Sequence, residues 1–135
     1  NLPSGPLLQK LKDGENIKYG SKEIKSADVT FEESGFKICF VLDTKINDKI
    51  VPFVKGADAF ICESTFEAER EDLAEKYSHL SAKQAAEIAS EAKVKRLFLT
   101  HISQRQGKRT ENTLEAASKI FKKVNLVDDL FVVEI

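Results

Sequence analysis

Methionine is absent from this chain of 135 residues, and histidine and cysteine occur only twice each. With no initiator, and opening on Asn1-Leu2-Pro3-Ser4-Gly5-Pro6, the sequence reads as the interior of a longer protein. No apolar run approaches the roughly 20 residues of a bilayer span, and no signal-peptide pattern opens the chain, so no membrane association is expected. An excess of one charge is missing too. The 21 basic and 22 acidic residues leave a net charge of −1, so no global field draws nucleic acid, and any RNA contact has to come from a local patch or from a part outside this chain.

The two cysteines exclude a disulfide scaffold. Cys39 and Cys62 sit inside the apolar runs Ile38-Cys39-Phe40-Val41 and Phe60-Ile61-Cys62. They read as reduced core thiols of a cytoplasmic protein, and their separation fits no CxxC metal clip. What is present describes one globular domain: 41% hydrophobic and 32% charged residues in a length sufficient to bury a core.

Residues 1–34 read as an irregular lead-in, punctuated by Pro3, Gly5, Pro6, Gly14 and Gly20, with room for a small hairpin over 19–24. Beyond it, three short apolar runs, 37–42, 57–62 and 95–100, have the continuous hydrophobicity of strands covered on both faces. Helical segments are expected near 47–55 and 67–76. Ser81 and Gln84 have the spacing of a capping box, and Ala82, Ala85, Ala86, Ala89 and Ala92 give the following helix a small-residue face for close packing on a sheet. Thr110 and Glu111 start another helix, with Leu114, Ala117, Ile120 and Phe121 on one face. Strands over 124–127 and 130–135, joined by a turn at Asp128-Asp129, close the chain. Alternating strands and helices favour an α/β layered domain.

Each of the three buried strands ends in an ionisable residue: Asp43, Glu63 and His101. If the strands are parallel neighbours, these side chains converge on one rim, the usual place for sites in open α/β sheets. His79, just before the capping box, can reach the same rim. Two carboxylates and two imidazoles together suit metal-assisted hydrolysis. Taken singly, Asp43, Glu63 and His79 each have a plainer reading. An Asp after a strand is commonly a turn-former, a Glu there a salt-bridged end, and a His before a helix a cap helper. Only the joint placement points to chemistry.

The order Asp43-Thr44, Glu63-Ser64-Thr65-Phe66, His79-Leu80-Ser81 before an alanine-rich helix, and Val94-Lys95-Arg96-Leu97-Phe98-Leu99-Thr100-His101 resembles ribonuclease Z, the tRNA 3′-processing endonuclease family of the metallo-β-lactamase superfamily. The closing Phe131-Val132-Val133-Glu134-Ile135 fits as well. The resemblance implies an α/β fold that is the C-terminal half of a metallo-β-lactamase αββα sandwich, with residues 1–34 following a tRNA-binding arm. It implies Asp43 as a carboxylate bridging two zinc ions, His101 as a zinc ligand, His79 as the catalytic proton donor and Glu63 as the residue orienting it. Arg105 matches a substrate-contacting arginine. The remaining zinc ligands, including an HxHxDH motif, would lie in an N-terminal half outside this chain, so this piece alone is expected to be inactive.

The implied activity is zinc-dependent endonucleolytic removal of the 3′ extension of precursor tRNA, with a metal-held hydroxide attacking the phosphodiester. The implied assembly is a cytoplasmic homodimer. Two rivals remain: another metallo-β-lactamase-fold phosphodiesterase or hydrolase, and a non-catalytic degenerate half-domain.

Overall fold

The computed structural model describes residues 4–103 and 110–134. The chain divides into two compact units, Asn1–Gly35 and Phe36–Ile135. The first unit is more regular than the expected lead-in. Helix α1 (Pro6–Lys12) starts with proline in its first turn, where no amide donor is needed, and ends on Lys10 and Lys12, favourable to the helix dipole. Strands β1 (Ile17–Tyr19) and β2 (Lys22–Ile24) form an antiparallel hairpin with Tyr19 opposite Lys22, and Gly20 at φ 63° supplies the left-handed residue of the turn. The short helix α2 (Ser26–Val29) is tied back by Ser26. Its hydroxyl donates to the Leu11 carbonyl at 2.7 Å, and its amide donates to Asn16 Oδ1 at 3.0 Å. Single side chain–backbone bonds of this kind leave no hydrophobic period, so the segment read as irregular.

The second unit is built on four parallel strands: β3 (Ile38–Val41), β4 (Ala59–Glu63), β5 (Leu97–Thr100) and β6 (Val124–Leu126). They lie side by side in chain order. Between them run α3 (Ile50–Val54), α4 (Glu71–Tyr77), α5 (Ala82–Glu91) and α6 (Thr110–Ile120). One face of the sheet, carrying Cys39, Val41, Phe60, Cys62, Leu97 and Leu99, packs in a single core with Val54 of α3, the alanines of α5 and Ala117 of α6. Ala82, Ala85, Ala86 and Ala89 are buried, so their small side chains set the α5 backbone close to the strands. Fully buried Leu80, Leu97 and Leu99 each contribute on the order of 2 kcal/mol of apolar transfer energy. Both cysteines are free and buried.

Two expectations need correction. The run over 37–42 is not covered on both faces: Ile38, Phe40 and Leu42 are 47%, 62% and 49% exposed. Winding in chain order puts the packed helices on one side, and β3 is an edge strand. The closing stretch is not a strand over residues 130–134. Leu130 adopts φ 67°, and the Phe131 amide donates to the Asp128 carbonyl, which turns the chain out of the sheet plane. Leu130, Phe131 and Val133 instead line a small cleft with Ala59, Ile61 and Phe98. The chain therefore crosses the second sheet face beside β4 and β5, where Phe98 is buried and capped by the Arg96 guanidinium. Ile135 lies outside the described residues. Among the described residues, no helix is long and apolar enough to cross a membrane.

Candidate metal centre

The parallel register fixes which strand ends meet. Val41 pairs with Cys62, and Glu63 pairs with Thr100, so Asp43, Glu63 and His101 all emerge on the carboxyl-terminal rim. Asp43 and His101 are each in the left-handed region, at φ 50° and 57°. Asp and His tolerate this conformation better than most residues, yet it still costs on the order of 1 kcal/mol each. The bend turns each side chain off its strand direction, and His101 Nε2 comes to 3.6 Å from Asp43 Oδ1.

His79 arrives from another element. Helix α4 is capped at its C-terminus by Ser78, in the left-handed conformation, and the His79 amide donates to the Ala74 carbonyl at 2.8 Å. Immediately beyond, Leu80 is fully buried and Ser81 caps α5. The Ser81 hydroxyl accepts from the Gln84 amide, while the Ser81 amide donates to Gln84 Oε1. A bridge from Phe66 to Ser81 fastens this entry to the segment just after β4. The His79 ring lies 5.4 Å, centroid to centroid, from that of His101.

Glu63 is fully buried and is the hub of the rim. Oε1 accepts the Thr44 amide at 2.6 Å; Oε2 accepts the Leu80 amide at 3.2 Å, the Thr65 hydroxyl at 2.7 Å and His79 Nδ1–H at 2.9 Å. Thr65 Oγ1 is also 2.8 Å from His101 Nδ1. These donors satisfy both oxygens of a side chain whose burial without partners would be costly. The single salt-bridged strand end weighed for Glu63 understates its connections. The backbone donors of Thr44 and Leu80 carried no mark in the sequence. The Thr65 hydroxyl could have been suspected from its place two residues after Glu63.

Asp43, His79 and His101 each offer one ligand atom, all within 4.8 Å of one another. A carboxylate oxygen and neutral imidazole nitrogens are the donor types that zinc takes, so these residues fit such an ion. Cys62 does not join them. Burial raises its thiol well above the ordinary value, and the neighbouring Glu63 charge adds to the effect, which opposes the thiolate that a metal would need. Arg105 lies outside the described residues.

This rim, set at the ends of parallel strands with helices on one face, is found in a known class. Residues 9–102 match the family model described as the β-lactamase superfamily domain, and the chain belongs to the metallo-β-lactamase branch of that superfamily. Its fold is accordingly α/β, with metallo-β-lactamase-fold structures as neighbours. Among curated relatives, Ribonuclease Z of Methanothermobacter thermautotrophicus is 41% identical over 99% of this chain, and Ribonuclease Z of Enterococcus faecalis is 39% identical over 99%. In both, the match covers 44% of the relative, so this chain spans less than half of their length. Among solved structures, the metallo-β-lactamase-fold protein YhfI of Bacillus subtilis superposes with a TM-score of 0.66 and 28% identity, covering 72% of this chain and 39% of that one. Human tRNase Z, short form, gives 0.59 and 28%, covering 84% and 36%.

Proposed function

We propose that this chain carries one half of the active centre of an endoribonuclease that removes 3′ extensions from precursor tRNA. The observation that carries the reading is the convergence of Asp43, His79 and His101 on one rim; the relatives named Ribonuclease Z support a ribonuclease, and the structural neighbour named tRNase Z supports tRNA as its substrate class. Asp43 and His101 are the residues that would hold zinc, with the remaining ligands of a two-ion site supplied from outside this chain. When bound, zinc polarises the phosphodiester and lowers the pKa of water.

The chain's own residues do the rest. Asp43 presents an oxygen on the open side of the rim, facing His101 Nε2. With a proton on each ring nitrogen, His79, its Nδ1–H held by Glu63, delivers the Nε2 proton to the departing ribose oxygen and is left as the neutral Nδ1–H imidazole. Glu63 fixes the ring and does not itself reach substrate, because it is fully buried. Arg105 is the residue proposed to contact a phosphate. The proposed assembly is a cytoplasmic homodimer.

The test is cleavage of a 3′-extended precursor tRNA by the complete protein with zinc. One cut position is expected, and His79→Ala should abolish the cut while zinc content stays unchanged. Loss of zinc together with activity would instead make His79 a ligand, an arrangement its place within the donor cluster allows. The likeness to YhfI, a metallo-β-lactamase-fold protein, supports the fold without the tRNA substrate, and so goes with a second reading, another phosphodiesterase or hydrolase of this fold. Cleavage of a small phosphodiester with no action on precursor tRNA would select it. A complete protein that holds no metal would leave the degenerate, non-catalytic half-domain.

A further inference from the structure

His79 is oriented directly by Glu63, whereas His101 is not. Its Nδ1 lies 4.0 Å from Glu63 Oε2, too far for a hydrogen bond, and the Thr65 hydroxyl stands between them at 2.7 Å and 2.8 Å. The direction of this short chain follows from counting donors. The amides of Thr44 and Leu80 can only donate, and both point at Glu63, so its oxygens accept. A hydroxyl has one proton, and at 2.7 Å from Oε2 that proton goes to the carboxylate. Toward His101 the Thr65 oxygen is then left to accept, so His101 Nδ1, 2.8 Å away, is the donor and carries its hydrogen.

We propose that Thr65 is a positioning residue: it relays Glu63 to His101, fixes His101 in the Nδ1–H tautomer, and so presents the unprotonated Nε2 toward Asp43. One buried carboxylate thereby orders both histidines of the rim, one directly and one through a hydroxyl. Metal-binding imidazoles are held by the hydrogen bond of their other nitrogen, and removing such a partner weakens metal binding. Thr65 suits the relay because it is itself nearly buried and sits two residues beyond the carboxylate that it serves.

The inference rests on the reading of His101 as a zinc ligand, but its first readout needs neither metal nor substrate. Nitrogen-labelled histidine NMR of the metal-free complete protein at alkaline pH should place the His101 proton on Nδ1. Thr65→Val, nearly isosteric, should shift His101 toward the other tautomer and weaken zinc binding in chelator competition by roughly 10- to 100-fold. Thr65→Ser, which keeps the hydroxyl, should restore both. A wild-type proton on Nε2 would overturn the proposal. So would a Val variant with unchanged tautomer and zinc affinity, or a Ser variant as impaired as Val. If the tautomer result holds while the wild-type protein leaves precursor tRNA uncut, Thr65 keeps its role and the nuclease reading falls.

Discussion

At the end of the strands opposite the histidines, Asp58 does for the sheet what Glu63 does for the rim. Its Oδ2 accepts the Lys37 amide at 2.7 Å, and its Oδ1 meets Lys95 Nζ at 2.6 Å, so one carboxylate joins the approaches to β3, β4 and β5. The Lys37 amide first, and the Lys95 ammonium second, hold its carboxyl below the ordinary value of 3.8. A lowered folded-state pKa means that the folded protein prefers the carboxylate more than the unfolded chain does. The resulting stabilisation is present above about 3.8 and fades as pH falls through the lower folded-state value. Asp58→Asn should therefore lower Tm at neutral pH. The gap between variant and parent should narrow in thermal melts taken below pH 3.8. A gap constant down to strongly acid pH would mean that the charge of Asp58 contributes nothing to stability.

Elements differ in how plainly the sequence announces them, and the capping box shows why some are legible. Ser81 and Gln84 interact through local bonds three residues apart, so spacing alone identifies them, and the structure has both reciprocal bonds. The cores of β3, β4, β5 and α5 were legible for a similar reason, since runs of apolar residues and an alanine face are local patterns. The convergence of Asp43, Glu63 and His101 needed one assumption, parallel neighbouring strands, and the register meets it. What stayed hidden depends on partners distant in sequence. The left-handed bends at Asp43 and His101, the Thr44 and Leu80 amides on Glu63, and the turn that takes 130–134 out of the sheet plane have no periodic signature.

The Ser81 cap also carries a consequence beyond its helix, because His79 is two residues away and its neighbour Leu80 donates to Glu63. Ser81→Ala should cost about 1 kcal/mol, visible as a Tm lower by roughly 4 °C. Ser81→Gly should cost only a few tenths. An unaltered melt for the alanine variant would show that the cap is not limiting.

At the scale of the whole molecule, the chain spans 44% of the relatives it matches, and two of its features read as unfinished surfaces. Ile38, Phe40 and Leu42 present an apolar strip on an edge strand. The rim presents three donor side chains, Asp43, His79 and His101. Two catalytic zinc ions, each with about three protein ligands, require about six ligand contacts. Even with both Asp43 oxygens used, three residues fall short of that, and fewer still serve if His79 is kept for proton transfer. The 135 residues alone should therefore bind zinc weakly and below two equivalents in a chelator competition, whereas the complete protein should hold two. Because the strip and the rim belong to the same sheet, Phe40→Ser should be nearly silent in the isolated chain, where that ring is already in water. In the complete protein it should lower stability by about 3 kcal/mol if a second layer buries the ring. Tight binding of two zinc ions by the isolated 135 residues would mean that the centre is completed from within this chain. An equal, small effect of Phe40→Ser in both forms would mean that nothing covers this face.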